Sequence, residues 1–387
     1  MRTTSIRFAE EQSISSWNLG DSTAKTTRKR ASLTATVATD RVLIRAIGDS
    51  KDPHPPCGRL VPAAYWVDTP QVTEDILKVL ERRLGRECAQ KRIGVEANLN
   101  EVCGDGIRLF GFCISDVTIR TALRLVGLYR RGCRNAQDVR VKHNFIAASI
   151  PPPFDGFTIL QISDLHVDMN WPVIDRLAAL LPHLNYDVCV MTGDYRAKSS
   201  GPFEAALNGM AKVRTFLKEP IYGILGDHDT IFMIPGLETI GFRMLLNECV
   251  QITRGDYSIY LSGIDDAHRF HADDISKAAS EIPDGAFSIL LSHTPEVYRQ
   301  AAEAHFTLLL SGHTHGGQIC LPGGFPITLE AILPRQMGAV AWQYGHMIGY
   351  TSPGTGSSIV AVRFNCPPEV TLHHLHALPS KRAISNI

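Results

Sequence analysis

The stretch Ser311-Gly312-His313-Thr314-His315-Gly316-Gly317-Gln318 follows directly after the apolar run Phe306–Leu310. An apolar run of this length before a glycine-rich segment predicts a buried strand that ends in a tight turn. The turn carries two imidazoles, and its glycines allow the backbone to approach a bound group closely. A His-x-His pair also occurs in ordinary polar loops, so this stretch alone leaves a surface loop and a metal site as equal alternatives.

Four further apolar runs end within a few residues in a carboxylate or an imidazole. They are Phe157–Ile162 before Asp164 and His166, Val188–Met191 before Asp194, Ile221–Leu225 before Asp227, His228 and Asp229, and Ser288–Leu291 before His293. Ligands of open α/β sheets bind in the crevice beyond the carboxyl ends of the strands. We therefore expect the side chains after all five runs to meet at one rim.

The composition is typical of a globular protein. The 387 residues are 44% hydrophobic, and 39 basic residues balance 39 acidic ones. A net charge of zero creates no field that attracts nucleic acid, so no nucleic-acid partner is expected. Nine cysteines without C-x-x-C spacing favour reduced thiols in a reducing compartment. The sequence begins without the apolar segment of a signal peptide and contains no long apolar run, so neither export by that route nor membrane spanning is expected.

Three segments are expected along the chain. Residues 1–70 are rich in Ser, Thr, Arg and Pro, which predicts a flexible tail. Residues 71–150 predict a helical N-terminal extension, and residues 151–387 predict the main domain.

The extension contains two predicted amphipathic helices, over residues 73–88 and 116–131, and a predicted strand over 142–150. The second helix is rich in arginine. It is expected either to dock on the main domain or to lie on an anionic membrane surface, with residues 107–131 as the contact segment.

The main domain begins with alternating strands and helices and continues with closely spaced strands. Helices are predicted from Trp171 and over 203–217, as in βαβ units. The later strands are predicted over 250–253, 258–264, 347–351, 359–364 and 370–375. This pattern predicts an α/β fold of two sheets covered by helices, with both sheets sending loops to one rim.

The residue types in the five loops suit a centre of two metal ions. Two divalent cations about 3.5–4 Å apart can clamp a phosphate and lower the pKa of a bridging water, so that hydroxide is available near neutral pH. Such a centre needs one bridging carboxylate and several imidazole or carboxylate ligands from separate elements. The loops contain this set of side chains.

The loop sequences resemble the five-block signature of the calcineurin-like metallophosphoesterases over about residues 154–376. The matching blocks are Asp164-x-His166, Gly193-Asp194, Gly226-Asp227-His228-Asp229, His293 and Gly312-His313-Thr314-His315. The resemblance implies an αββα sandwich and two divalent metal ions, of which manganese is favoured and iron or zinc also fit mixed imidazole and carboxylate ligands.

The resemblance also implies a role for each residue of the blocks. Asp164, His166 and His315 would hold the first metal, Asp194 would bridge, and Asp227, His293 and His313 would hold the second. His228 would face the substrate phosphate and stabilise charge or protonate the leaving oxygen, and Asp229 would orient His228 through its ring nitrogen.

One position departs from the family pattern. The family usually has Asn where this chain has Asp227. An anionic ligand is expected to bind the second metal more tightly while reducing its Lewis acidity, and Asp227→Asn is expected to keep measurable activity.

Within the family, several stretches are similar to bacterial UDP-diacylglucosamine pyrophosphatases of lipid A synthesis. They include residues 154–157, 263–266, 316–318 and 367–371. This similarity implies a small-molecule or lipid-linked phosphate substrate and a cytoplasmic enzyme, peripheral on the inner face of the cytoplasmic membrane. A nuclease or cyclic-nucleotide phosphodiesterase, and a catalytically silent metal-binding scaffold, remain alternatives.

Two other histidine groups have plainer explanations. The tract His373-His374-Leu375-His376 resembles a metal-binding tract, but alternation along a terminal strand explains it equally well. His268 and His271 follow Asp265-Asp266 in a loop that either borders the site or is an ordinary surface loop.

Overall fold

The computed structural model describes residues 70–99, 107–109, 112–114 and 116–378. The tail predicted for residues 1–70 lies outside the described residues except for Pro70. Strands and helices are numbered below in chain order.

Two six-stranded sheets form the centre of the fold. In spatial order, the first sheet consists of β3 (Arg140–Ala148), β16 (Glu369–Ala377), β4 (Thr158–Ile162), β5 (Val188–Met191), β6 (Ile221–Gly223) and β7 (Arg243–Met244). The second consists of β14 (Val340–Tyr344), β15 (Met347–Thr351), β11 (Leu308–Ser311), β10 (Ser288–Leu291), β9 (Tyr257–Gly263) and β8 (Glu248–Arg254). Two small hairpins are formed by β1 (Ile107–Leu109) with β2 (Phe112–Ile114) and by β12 (Cys320–Leu321) with β13 (Phe325–Pro326).

The helices of the described residues precede the sheets or connect their strands. They are α1 (Pro70–Leu84), α2 (Arg86–Leu99), α3 (Asp116–Leu125), α4 (Tyr129–Asn135), α5 (Trp171–Leu180), α6 (Glu204–Arg214), α7 (Ile234–Thr239), α8 (Ile275–Ala279) and α9 (Tyr298–Glu303). In the described part of the chain, no helix has both the length and the apolar character that crossing a bilayer requires.

The alternation of side chains along the strands builds three apolar layers. Ile159 packs between the two sheets, whereas its neighbour Leu160 packs in the layer that contains Leu177 of α5. In the second sheet, Leu308 faces the inner layer and Leu309 faces the layer of α8 and α9. Successive side chains of a strand point to opposite faces, so strands that are apolar throughout must be covered on both sides. The predicted two-sheet sandwich is confirmed.

Parallel pairing aligns the loops of the site. Strands β4, β5 and β6 are parallel neighbours, and β9, β10, β11 and β15 are parallel neighbours in the other sheet. The carboxyl ends of parallel neighbours lie at the same edge, which brings the loops after β4, β5 and β6, and those after β10 and β11, to a common rim.

The extension predicted over residues 71–150 contributes to the main domain. Strand β3 pairs in parallel with β16 from Arg140 to Ala148, two residues earlier than predicted. Leu80, Leu84 and Ala89 of the first two helices belong to the same apolar layer as α5. The first sheet and its outer layer therefore depend on residues before 150.

Three predicted elements differ from the structure. The helix over 73–88 is instead two helices that meet at Gly85, where φ is +85°. The helix over 116–131 is likewise broken at Gly127, where φ is +71°, because a left-handed residue cannot continue a right-handed helix. The strand predicted over 359–364 is wrong, since the backbone there forms a bridge only at Phe364.

Hydrogen bonds of Gln318 give a physical reason for the missing strand. The Gln318 amide donates to the carbonyls of Ser358 and Val360, each at 3.0 Å, and its oxygen accepts from the Ser358 N–H at 2.8 Å. These contacts satisfy the backbone groups that a strand would use for pairing.

Candidate metal centre

The five loops bring their imidazoles and carboxylates into two adjacent groups. Here the first ligand group comprises Asp164, His166, Asp194 and His315, and the second comprises Asp227, His293 and His313. Within each group, one donor atom of every residue lies within 4.8 Å of the others, and all seven residues are buried.

Unusual backbone conformations turn the loops inward. Asp164, His166, Asp194, His313 and His315 all have positive φ, between 41° and 69°. Non-glycine residues adopt this region at a cost of the order of 1 kcal/mol or more each, and such strain is concentrated at functional sites.

Glycines at two positions permit the loops to touch. A Cβ atom on Gly226 would collide with the Asp194 carboxylate, and one on Gly312 would collide with the side chains of Ser163 and Asp164. Because Gly226 and Gly312 have no Cβ atom, one loop of the site can pack directly against another.

The first ligand group centres on two imidazole nitrogens. His166 Nε2 lies 3.2 Å from His315 Nε2 and 3.5 Å from Asp194 Oδ2. His315 Nε2 lies 3.5 Å from Asp164 Oδ1. The other oxygen, Asp164 Oδ2, is buried and has no hydrogen-bond partner among the described residues. A buried carboxylate oxygen without a donor, beside two imidazole nitrogens, fits a cation site.

The second ligand group centres on Asp227 Oδ1, which lies 3.1 Å from His293 Nε2 and 3.0 Å from His313 Nδ1. Asp194 links the two groups, since its Oδ1 lies 3.4 Å from His293 Nε2 while its Oδ2 faces His166. The residue predicted to bridge therefore lies between the groups.

Backbone carbonyls orient the imidazoles. His166 Nδ1 donates to the Arg196 carbonyl, His293 Nδ1 to the Thr192 carbonyl and His313 Nε2 to the Glu330 carbonyl, each at 2.7 Å. A carbonyl accepts only, so the nitrogen that faces it carries the proton and the opposite nitrogen is directed to the centre. This arrangement is typical of metal-binding histidines, and the donor set fits divalent cations.

The two groups differ in charge. Burial lowers the pKa of both His166 and His315, and the nearby Arg363 charge lowers that of His315 further. In the second group burial acts in the same direction, but Asp194 and Asp227 outweigh it. They hold the pKa of His293 well above its usual range, and Asp227 raises that of His313 to about 9. Protons therefore balance the carboxylates of the second group when no cation is bound.

Asp229 has a different position from the predicted one. Its carboxylate accepts hydrogen bonds from the N–H groups of Asp194, Tyr195 and Gly226 at 2.8 to 2.9 Å. His228 Nδ1 instead lies 2.6 Å from the Ala197 carbonyl. The predicted contact of Asp229 with the His228 ring nitrogen is thus corrected, because a buried carboxylate between two loops is satisfied by their amides. Burial and the Asp194 charge raise the pKa of Asp229 to about 6.

Four arginines around the centre were not predicted as site residues, namely Arg92, Arg196, Arg269 and Arg363. Arg196 lies two residues after Asp194, so its closeness in sequence to the Gly193-Asp194 block was a usable signal. Its guanidinium donates to the carbonyls of His228, Ser199 and Gly201 and ties the loops after β5 and β6 together. Arg92 lies more than a hundred residues from the loops that it contacts, and no local pattern indicates such a contact.

The loop that contains His268 borders the centre. The His268 ring lies 4.3 Å from the His313 ring, between centroids, and its Nδ1 lies 2.7 Å from Glu296 Oε2. In the terminal tract, His373 is buried and bonds Gln161 Oε1 at 2.9 Å, which fits the structural explanation.

A cavity of about 170 Å³ adjoins one histidine from each ligand group. His313 and His315 form one side of it. Four isoleucines, Ile119 of α3, Ile319, Ile327 and Ile359, supply much of the remaining lining, together with polar residues such as Glu330. The centre therefore opens beside a surface that suits an apolar group.

Comparisons with known proteins indicate the family of this chain. Residues 157–317 match the family model of the calcineurin-like phosphoesterases. The chain is 31% identical over 243 residues to the uncharacterized metallophosphoesterase YkuE of Bacillus subtilis, in a match that covers 60% of this chain and 84% of that protein.

Two further relatives have similar identities. The uncharacterized metallophosphoesterase YkoQ of Bacillus subtilis is 28% identical over 62% of this chain and 92% of its own length. A transmembrane protein with a metallophosphoesterase domain from Danio rerio is 27% identical over 57% of this chain, and the match covers only 54% of that protein.

Proposed function

Since this chain belongs to the calcineurin-like phosphoesterase family and is a metal-dependent phosphoesterase, we propose that it uses two divalent cations to hydrolyse a phosphodiester or a pyrophosphate. The observation that carries the proposal is the position of Asp194, whose two oxygens lie within 3.5 Å of a histidine from each ligand group. A carboxylate shared in this way supports one bridged pair of cations better than two separate sites.

In this proposal each ligand group holds one cation. Asp164, His166 and His315 bind the first, Asp227, His293 and His313 bind the second, and Asp194 binds both. When bound, such cations withdraw charge from a phosphate and lower the pKa of a coordinated water, which supplies a nucleophile near neutral pH. Manganese is favoured, and iron or zinc suits the same ligands.

His228 is proposed to act on the substrate. Its Nδ1 is held as a donor to the Ala197 carbonyl, and its ring lies 5.1 Å from that of His166, between centroids. The Nε2 atom is therefore the nitrogen that can stabilise or protonate the leaving oxygen. Asp229 keeps the loops of Asp194 and His228 in contact and so acts as a positioning residue.

The apolar cavity supports a lipid-linked substrate, such as the UDP-2,3-diacylglucosamine of lipid A synthesis. It adjoins His313 and His315, so an apolar chain there would keep an attached phosphate near the ligand groups. Helix α3 contributes Ile119 to the cavity and has exposed apolar side chains on its surface, with Val117 64% and Leu125 84% exposed. These side chains support peripheral contact with the inner face of the cytoplasmic membrane by a cytoplasmic enzyme.

The catalytic part of the proposal is tested by turnover of bis-p-nitrophenyl phosphate with manganese, iron or zinc. We expect His228→Ala to lower kcat by about 10²- to 10⁴-fold with unchanged metal content, because the proposal assigns His228 to the substrate and not to a cation. His183→Ala, at an exposed position away from the loops, is the matched control and is expected to be silent. Absence of turnover by the wild type with every metal would favour a silent scaffold and overturn the proposal.

The substrate is tested with a panel of UDP-diacylglucosamine, cyclic nucleotides and oligonucleotides, and membrane contact by co-sedimentation with anionic liposomes. We expect the lipid-linked substrate to have the highest kcat/KM and Leu125→Glu to reduce pelleting. The control Tyr257→Glu changes an exposed apolar residue at the β8–β9 turn. Preference for a nucleotide would contradict the lipid-linked substrate. Equal pelleting of Leu125→Glu and Tyr257→Glu would contradict the membrane contact.

A further inference from the structure

The two oxygens of Asp227 have different partners. Oδ1 faces His293 and His313 within the second ligand group, at 3.1 and 3.0 Å. Oδ2 points the other way and lies 2.8 Å from Arg269 Nη2. One oxygen is thus available to a cation while the other is paired with a fixed positive charge.

A well-ordered loop positions Arg269. The Asp266 carboxylate accepts hydrogen bonds from three successive N–H groups, those of His268 at 3.2 Å, Arg269 at 2.7 Å and Phe270 at 2.8 Å. The Phe270 ring is buried, and the guanidinium of Arg92 stacks on it at 3.3 Å from the ring centroid. Buried contacts of Asp266 before Arg269 in the loop and of Phe270 after it therefore hold Arg269 beside Asp227.

Arg269 differs from the arginine behind the first ligand group. Arg363 is fully buried, and its guanidinium donates to several carbonyls, including those of Pro353 and Gly356 at 2.7 Å. The Arg269 side chain is 29% exposed, and within the described residues Asp227 is its ion-pair partner. Its charge is therefore directed at one ligand of the second group.

We propose that Arg269 cancels the charge of Asp227 and thereby weakens the binding of the second cation. The Asp227 carboxylate and the Arg269 guanidinium together have no net charge, and in this respect the pair resembles a neutral amide side chain. Asp227 Oδ1 nevertheless remains a ligand. Arg269 therefore acts through Asp227 as a positioning residue that keeps the second cation exchangeable. This inference rests on the proposed function, because it requires a second cation position.

A double-mutant cycle measured by titration of the metal-free full chain with Mn²⁺ tests the inference. We expect Arg269→Gln to tighten the second binding step by roughly tenfold or more, because the carboxylate is no longer neutralised. In the Asp227→Asn background the same substitution is expected to have little effect. Arg269→Lys, which retains the charge, is expected to bind Mn²⁺ much as the wild type does.

Controls separate this inference from the proposed function. Arg299→Gln removes an exposed charge elsewhere and is expected to leave both binding steps unchanged. Thermal melting of each metal-free variant reports whether it is folded. The inference would be overturned if Arg269→Gln left the second Mn²⁺ binding step unchanged or weakened it. It would also be overturned if the substitution changed that step equally in the wild type and in Asp227→Asn. Either result would leave the dinuclear centre intact. A wild type that binds fewer than two Mn²⁺ ions would overturn the proposed function as well.

Discussion

The two ligand groups of this centre use the same residue types but differ in their protons. In the first group, burial lowers the pKa of His166 and of His315, and the Arg363 charge lowers that of His315 further. In the second group, Asp194 and Asp227 raise the pKa of His293, and Asp227 raises that of His313. In the proposed dinuclear centre, a cation is expected to displace more imidazole protons from the second group than from the first.

The arginines beside the two ligand groups also differ in their contacts. The arginine of the first group is buried among carbonyls, while that of the second pairs with a ligand carboxylate and is partly exposed. If two cations bind as proposed, the affinity of the second position is expected to depend on pH and on the neighbouring Arg269 charge, and the affinity of the first mainly on geometry.

The largest expected effect comes from removing the residue that the groups share. Asp194→Asn withdraws the bridging charge from both positions, so we expect kcat with Mn²⁺ to fall on the order of 10³-fold and both binding steps to weaken. Turnover of bis-p-nitrophenyl phosphate and Mn²⁺ titration measure the two quantities. Asp175→Asn is the control, since that side chain is 77% exposed on α5. Retention of more than a tenth of the activity would indicate that the groups do not share Asp194.

A smaller effect on Mn²⁺ binding is expected from a change in pH, and this effect differs between the two ligand groups. The pKa of His313 is raised to about 9, so in the metal-free protein this imidazole is protonated below that pH. Each pH unit below it weakens the second binding step up to tenfold per displaced proton, which is about 100-fold between pH 8 and pH 6 for the His313 proton by itself. The first step is expected to change much less over this range, because the pKa values of His166 and His315 are lowered. Calorimetry in buffers of different ionisation enthalpy counts the protons, and equal release in both steps would contradict the comparison.

The smallest expected effect concerns Arg92, which contacts the loop of Asp227 and Asp229 and the loop that contains Arg269. Its Nη2 donates to the Asp229 carbonyl at 2.6 Å, and it stacks on Phe270 beside Arg269. We expect Arg92→Met to weaken the second Mn²⁺ step about tenfold, as for other residues behind metal ligands, and to spare the first. Arg86→Met at an 81% exposed position is the control. Equal weakening of both steps would show that Arg92 supports the fold as a whole.

Much of the centre was predictable because its determinants are local. Each of the five loops follows a short apolar run, and buried parallel strands place their following residues at one edge of a sheet. The sequence alone was therefore sufficient to place Asp164, Asp194 and His293 together.

Other features depend on contacts between distant segments. Arg92 reaches its loops through the packing of α2, and Arg269 reaches Asp227 through the turn around Asp266, neither of which has a periodic signature. The residues 359–364 have the composition of a strand, but the Gln318 side chain takes up the backbone groups. Local propensity is overridden where side chains satisfy the backbone instead.

The most direct test of the account is anomalous diffraction from crystals of the full chain grown with Mn²⁺. We expect two manganese peaks about 3.5–4 Å apart, both within ligand distance of Asp194, with one near His166 and His315 and the other near His293 and His313. A single peak, or peaks remote from Asp194, would contradict the claim that two ligand groups share one carboxylate.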